Sequence, residues 1–471
     1  MTVLGRTFRP VIDHKKCEAC SVCSGHCPAE IMLEMRQEPD SLRGRIYSAR
    51  DQEARVYCEG RPRCQTACPL GQDVAGYIKL IVQGRLKEAF QLIRETNPLP
   101  SVCGYVCDHP CELSCTRGLV DEPLAIKLLK RFVCDYERVD PLLPARQKTG
   151  KGQVSIIGSG PSGLAAAHEL AKIGYRVDIL ESYSKPGGML AWAIPEFRLP
   201  RDVINRDIEY IMKMGVGIQT GVRFGHDVKV TDLEKRGTTA LIVATGTQRG
   251  LKLNIEGELK MEGYFDCLDL LRAIAERREV RLGEKVLVIG GGNAALDTAR
   301  SALRAGATNV AILYRRGPNE MPADRDELKE ALREGVGIDF FVAPTRIISS
   351  RGRVAGLECV KTELRGTDDS GRGKPFPVKG SEFTLKTDSV IAAIGQEPEY
   401  SDVLRGLELK GDRKKSMAID ENKMSTNIKG VFVAGDFVTG PTSVVQAMAS
   451  GIKAARAVDL YLAGAGKGKE Q

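Results

Sequence analysis

From residue 153 onward the chain alternates in texture. Short runs rich in Val and Ile (QVSIIG, RVDIL, ALIVATG, KVLVIG, NVAILY, SVIAAIG, GVFVAG) are separated by longer stretches with apolar residues at helical spacing. A brief continuous apolar run predicts a strand buried on both faces, and such strands alternating with helices predict parallel sheets covered by helices. The expected fold class is therefore α/β. Before residue 140 the pattern differs. Residues 74–95, VAGYIKLIVQGRLKEAFQLIRE, carry apolar side chains at helical spacing and predict helix. The stretch 141–152, opening on Pro141-Leu-Leu-Pro144, reads as a linker.

Two of the later units repeat one device. A strand over 154–158 runs into Gly158-Ser-Gly160-Pro161-Ser162-Gly163, which opens a helix ending near Gly174, and 177–180 is the next strand. Further along, a strand over 286–289 runs into Gly290-Gly291-Gly292-Asn293-Ala-Ala295, again opening a helix, and 310–313 follows. Each is a complete βαβ dinucleotide-binding unit. Its glycines permit a tight turn and close approach to a pyrophosphate, whose charge sits on the helix N-terminus. A lone glycine motif is weak evidence; strand and helix placed correctly twice is strong.

The residue ending the second strand separates the cofactors. In the first unit it is Glu181, which accepts from a ribose 2′-hydroxyl and repels a 2′-phosphate, so the site suits FAD or NAD. In the second it is Tyr314, followed by Arg315 and Arg316, two guanidinium forks suited to a phosphate, which favours NADPH over NADH. Near the end, Gly430–Asp436 reads as a strand closing on a Gly435–Asp436 turn. The segment from Pro441, with Ser443 and Gln446, then opens a helix whose N-terminus faces a flavin's pyrimidine edge. LIVATG, ending at Gly246, and VIAAIG, ending at Gly395, read as the crossings between domains, so the NAD(P)H domain is inserted in the FAD domain.

Cysteine usage sharpens the picture. Of 14 cysteines, twelve lie between Cys17 and Cys134, while Cys267 and Cys359 sit in apolar surroundings and read as packed core. Cys17-x2-Cys20-x2-Cys23-x3-Cys27-Pro28 matches the bacterial ferredoxin run and predicts a 4Fe-4S cluster. A later set comprises Cys58, Cys64, Cys68, Cys103, Cys107, Cys111 and Cys115. The five histidines form no metal-ligand pattern. A net charge of +8 spread over mixed populations argues against nucleic-acid binding. No stretch approaches the roughly 20 apolar residues of a membrane span, and Met1 to Pro10 has no signal-peptide core, so no membrane insertion and a cytoplasmic location are expected.

These features resemble the two-dinucleotide-domain flavoprotein reductases. More closely, residues 51 to 465 resemble the small subunits of NADPH-dependent glutamate synthases, through TNPLPSVCGYVCDHPCELSC, ESYSKPGGMLAWAIPEFRLP, GGGNAALDTARSALRAGA, YRRGPNEMPA and GVFVAGDFVTGPTSVVQA. The large subunit of NADH-dependent ferredoxin:NADP transhydrogenase and the N-terminal part of dihydropyrimidine dehydrogenase are similar too. The resemblance implies FAD at Gly158–Gly163, Glu181, Gly188, Met189 and Gly435–Asp436, with Trp192 and Phe197 in the covering segment. It implies NADPH at Gly290–Asn293, Asp297, Arg315 and Arg316. It also implies one cluster on Cys58, Cys64 and Cys115 and another on Cys68, Cys107 and Cys111. Each is one ligand short: Arg55 stands where a cysteine is expected, and Lys130 where relatives place Glu or Gln. Cys27, Cys103 and Cys134 are available to fill the gaps, giving three clusters, with two as the alternative.

The expected organisation is a ferredoxin-like module (1–50), a helical iron–sulfur domain (51–145), a Rossmann-like FAD domain (151–282 and 386–465) and a Rossmann-like NAD(P)H domain (283–385). The expected function is electron transfer between NAD(P)H, FAD and clusters. It would serve a partner subunit or ferredoxin in a hetero-oligomer such as a bifurcating complex, hydrogenase or formate dehydrogenase. The alternatives are a glutamate synthase small subunit proper and a stand-alone NADPH:ferredoxin reductase. Hydride transfer needs no acid–base side chain, so no catalytic residue is named.

Overall fold

In the computed structural model, residues 62–136, 150–258, 261–368, 371–409 and 417–467 are described, together with a two-residue strand pair at Thr2–Val3 and Arg6–Thr7. The chain divides into two units, residues 1–142 and 143–471. The division falls within the stretch read as a linker. The expected ferredoxin-like run Cys17–Cys27, and Cys58, lie outside the described residues.

In the first unit the described part is helical: α1 (Arg63–Ala67), α2 (Val74–Val82), α3 (Leu86–Thr96), α4 (Pro100–Val106), α5 (Pro110–Leu113) and α6 (Ile126–Tyr136). The Asp73 side chain accepts the Gly76 N–H at 2.9 Å and caps α2. Gln83 and Gly84 end it, which splits the predicted helical stretch into an antiparallel pair. Val74, Tyr77, Phe90, Ile93, Ile126 and Val133 close the core with Cys111 and Cys134.

The second unit starts with β1 (Gln153–Ile157), α7 (Pro161–Lys172) and β2 (Arg176–Glu181). It continues through α8 (Met189–Trp192), α9 (Arg201–Lys213), β3 (Gly217–Thr220) and β4 (Thr238–Val243). The chain then leaves on β5 (Arg249–Gly250). The next sheet is built from β6 (Tyr264–Asp266), α10 (Cys267–Ala275), β7 (Lys285–Ile289), α11 (Asn293–Arg304), β8 (Asn309–Tyr314), α12 (Arg325–Arg333) and β9 (Gly337–Phe340). An antiparallel excursion follows, β10 (Val342–Ser350), β11 (Arg353–Thr367), β12 (Gly373–Pro377) and β13 (Phe383–Lys386), before β14 (Ser389–Ala392) rejoins that sheet. β15 (Gln396–Glu397) returns beside β5. The remainder is α13 (Tyr400–Gly406), β16 (Ile419–Asp420), β17 (Ser425–Thr426), β18 (Val431–Val433) and α14 (Val444–Lys467).

The two largest sheets have the order β16-β17-β18-β4-β1-β2-β3 and β9-β8-β7-β14-β6, while β10–β13 and the β5–β15 pair form separate smaller sheets. Within the first, β18, β4, β1, β2 and β3 run parallel; the second is parallel throughout. Their central strands are buried on both faces, as the uninterrupted apolar runs required: the consecutive residues Val154 and Ser155 in β1, and Val288 and Ile289 in β7, are 0 to 4% exposed. Each such Val or Ile side chain contributes about 1.5–3 kcal/mol by burial. β6 and β14 belong to the second sheet, although residues 264–266 and 389–392 lie outside the span 283–385 expected for it. The inserted body is bounded by the β5–β15 pair, where Gly250 faces Gln396 and Arg249 faces Glu397. An apolar strand such as SVIA carries no mark of which of two parallel sheets it enters. Among the described residues no helix is long and apolar enough to cross a membrane.

Candidate functional site: two dinucleotide cradles and a thiol cluster

The first cradle begins where β1 ends. Gly158 has φ +101°, and a Cβ there would stand 2.5 Å from the Ala244 carbonyl oxygen at the end of β4. Gly290 repeats this after β7, with φ +150° and a virtual Cβ 2.2 Å from the Ala393 oxygen at the end of β14. Only glycine meets both demands at either turn. The chain then enters α7 or α11 through the extended Gly160 or Gly292, leaving helix-start N–H groups open to an anion.

Glu181, 4% exposed, is held against the first turn. Its Oε2 accepts from Ser159 N at 3.0 Å and Ser159 Oγ at 2.6 Å, and its Oε1 from Tyr183 N at 2.8 Å. Gly188 lies across from Gly160, where a Cβ would come within 2.7 Å of the Gly160 Cα, so a groove stays open only for glycine. From the other end of the chain α14 packs on α7, with a virtual Cβ at Gly451 2.1 Å from the Ser162 oxygen. Asp436 Oδ1 accepts the Thr442 hydroxyl at 2.6 Å, and burial raises its carboxyl above the usual range. Ser443 N donates to Gln446 Oε1 at 3.2 Å, and Gly246 (φ +67°) follows β4. The structure therefore gathers Gly158, Gly160, Pro161, Ser162, Gly163, Glu181, Gly188 and the Gly435–Asp436 turn around one helix start. Open groove, free N–H groups and fixed carboxylate fit the diphosphate and ribose of FAD. Met189 packs on the core of the second sheet with Ala193, Trp192 is 5.5 Å from the Tyr183 ring, and Phe197 lies beneath Arg304 at 3.9 Å.

At the second cradle Asn293 Oδ1 accepts Asp324 N at 2.8 Å and so orders the start of α12. Asp297 is 5% exposed and takes two bonds from Arg198 Nη1, at 2.9 and 2.7 Å; burial pushes its carboxyl up to about 6 against that cation's pull. Arg198 also pairs with Glu327 at 2.9 Å. It lies in the ESYSKPGGMLAWAIPEFRLP segment, yet nothing in the sequence marked it as the bond between the two nucleotide domains. Arg315 and Arg316 separate. Arg315 is exposed, with no ion pair among the described residues, whereas Arg316 is 6% exposed and bound to Asp368 at 2.5 Å and to the Gly373 oxygen at 2.8 Å. Of the two forks expected to meet a phosphate, Arg316 is already engaged by the protein.

In the first unit, Cys103 and Cys107 sit one helical turn apart, with Cys107 N donating to the Cys103 carbonyl at 3.2 Å. The neighbouring Cys103 thiol, the Lys130 ammonium and the His109 N–H at 3.4 Å together lower the Cys107 thiol against burial. Lys130, 6% exposed, has Tyr77, Cys103, Cys107 and Cys68 as its electrostatic neighbours, and Cys111 is within range of Cys107 and Cys68. Among the described residues no three His, Cys, Asp or Glu side chains close on a single metal ion. The donor set is sulfur, which suits iron–sulfur chemistry over oxygen-preferring metals. Cys68, Cys103, Cys107 and Cys111 are the residues that would hold a cluster beside Lys130.

Comparison with known proteins agrees. Residues 152–451 match the pyridine nucleotide-disulphide oxidoreductase family. The chain belongs to that family. Residues 45–141 match a second family, domain II of dihydropyrimidine dehydrogenase, described as a 4Fe-4S cluster domain. A family relative, the NADP(+)-dependent formate dehydrogenase subunit beta of Moorella thermoacetica, is 41% identical over 85% of this chain and 60% of its own length. This chain thus spans about three fifths of that relative. The glutamate synthase [NADPH] small chain of Azospirillum brasilense is 34% identical over 91% of this chain and 92% of its own, so the chain belongs to that narrower family as well. In fold, FprA of Mycobacterium tuberculosis, solved with NADPH, superposes with a TM-score of 0.59 at 22% identity, over 68% of this chain and 86% of that one. The oxidoreductase family match covers both cradles, and the second match covers all the described thiols of the first unit.

Proposed function

We propose that this chain is the NADP(H)-dependent, FAD-carrying subunit of a larger cytoplasmic redox assembly, passing electrons through three 4Fe-4S clusters to or from a partner subunit or ferredoxin. The observation that carries it is the pair of dinucleotide cradles on separate sheets of one unit, in a chain whose other unit matches a 4Fe-4S family. A nicotinamide gives up two electrons as hydride while clusters take one each; FAD supplies the carrier that does both. The protein's part is positioning. The starts of α7 and α11 hold the two diphosphates, Glu181 orients the first ribose, and Arg198 holds the second domain through Asp297 and Glu327. The buried Asp436 and the start of α14 are placed to set the polarity around the flavin ring. Cys17, Cys20, Cys23, Cys27, Cys58, Cys64 and Cys115 are proposed as the remaining cluster ligands. The reading of the chain as a subunit draws on the Moorella relative, itself named as a subunit.

The test is anaerobic purification of the full chain. One flavin and about 12 iron with matching acid-labile sulfide are expected, eight iron marking two clusters. NADPH should reduce an artificial dye far faster than it reduces ferredoxin. Rapid ferredoxin turnover without other subunits would overturn the subunit reading.

A further inference from the structure

A cavity of about 340 Å³ lies where the segment 192–201 meets α10 and the last turn of α11. Trp192, the single tryptophan of the chain, lines it together with Phe197. Phe197 is held in place: the Arg304 guanidinium stacks on its ring at 3.9 Å and is itself fixed to Glu334 at 2.6 and 2.9 Å. The charges of the wall do not balance. Arg201 donates to the Leu190 oxygen at 2.8 Å and the Ile194 oxygen at 3.2 Å, on either side of Trp192, and makes no ion pair among the described residues. Burial holds its guanidinium below the usual value, and Glu196 offsets only part of that. Arg277 also lines the cavity without an ion pair among the described residues, and Glu196 is the one lining carboxylate. Two unpaired guanidinium groups against one carboxylate leave one positive charge, which an anion in the cavity would stabilise. The Trp192 N–H and the Ser301 hydroxyl are buried in the same wall with no hydrogen-bond partner, and a buried polar group in that state calls for one. Arg304 and Asn293 stand at opposite ends of α11, about 16 Å apart at 1.5 Å per residue, so the cavity is remote from the diphosphate cradle.

We propose that this cavity is a binding site for a small aromatic monocarboxylate, separate from both dinucleotide cradles: the ring lies against Trp192 and Phe197, and Arg201 takes the carboxylate. A concave site of this volume with a mostly apolar wall and few polar groups is of the kind that holds a small molecule. The ligand's single charge matches the one left over at the wall, and its oxygens are acceptors of the kind that Trp192 and Ser301 lack. Because residues 192–201 belong to the first nucleotide domain and α10 and α11 to the inserted one, the ligand touches both. The proposal is independent of which nicotinamide the second cradle takes.

Calorimetry of 3-phenylpropionate with the cofactor-loaded full chain tests it, with 3-phenylpropanamide as the uncharged counterpart. The acid should bind saturably with a Kd below ~1 mM, and the amide ~10- to 100-fold more weakly, since a hydrogen bond to a charged group contributes about that much. Emission from Trp192 should change with the same half-saturation. Glu196→Gln removes the opposing charge at an exposed position and should tighten the acid several-fold while leaving the amide unchanged. Ala275→Leu, which fills the cavity, should abolish binding of both with flavin content unaltered. Equal affinity for acid and amide, an unchanged Kd in Glu196→Gln, or binding that leaves Trp192 emission untouched would each overturn the proposal. So would displacement of the acid by saturating NADP+, which would make the cavity part of the nicotinamide site.

Discussion

In the proposed function single positions carry much of the nucleotide binding, and glycine shows the demand most directly. Gly290 combines a left-handed φ of +150° with a virtual Cβ 2.2 Å from a backbone oxygen, so Gly290→Ala must move either the turn or β14. The expected outcome is at least a tenfold rise in the Michaelis constant for NADPH with flavin content unchanged, measured by steady-state kinetics and by flavin released on denaturation. The first glycines, Glu181 and the Gly435–Asp436 turn were legible because each is fixed by local geometry: a strand end, a turn, a helix start. Arg316 was not. Whether one of two adjacent arginines meets a ligand or a carboxylate depends on Asp368, and that pairing exists only once the β11–β12 hairpin folds back. Arg198 escaped notice for the same reason, since its partners Asp297 and Glu327 are tertiary.

The elements of the second sheet are tied together by a charge network at one end. Glu334, just past α12, receives Arg300 at 2.8 Å and Arg304 at 2.6 Å from α11. Those two arginines hold its carboxyl down to about 2 against burial. A carboxyl lowered on folding stabilises fully above its unfolded value and loses that contribution as pH falls through the folded one. Glu334→Gln should therefore cost about 1–2 kcal/mol at pH 7, discounted from the full shift because the side chain is 24% exposed. The difference between variant and wild type should shrink between about pH 5 and pH 2. Urea unfolding of both proteins across that range checks it; a difference independent of pH would contradict the pairing. The strands themselves were legible from apolar runs alone, and so was their alternation with helices. Their allocation to sheets was not: β6 and β14 read identically to strands of the neighbouring layer, and only hydrogen-bonding partners separate them.

For the whole chain, the insertion of one nucleotide domain into the other was visible in the order of motifs, while its limits were set by the β5–β15 pair. There Thr247 donates to Gln396 at 3.1 Å and Arg249 pairs with Glu397 at 2.7 Å. Joining Arg249 to Glu397 by a two-residue turn should give a shortened chain that retains flavin and no longer oxidises NADPH. Absorbance of the bound flavin and a dye-reduction assay decide the matter, and loss of flavin would show that the first sheet depends on its guest. Because outgoing and incoming strands lie side by side, the guest enters and leaves its host through one narrow doorway. A lineage could exchange the module that chooses the nicotinamide while leaving the flavin chamber and the thiol-bearing unit as they are, so reductant and electron exit are free to evolve apart.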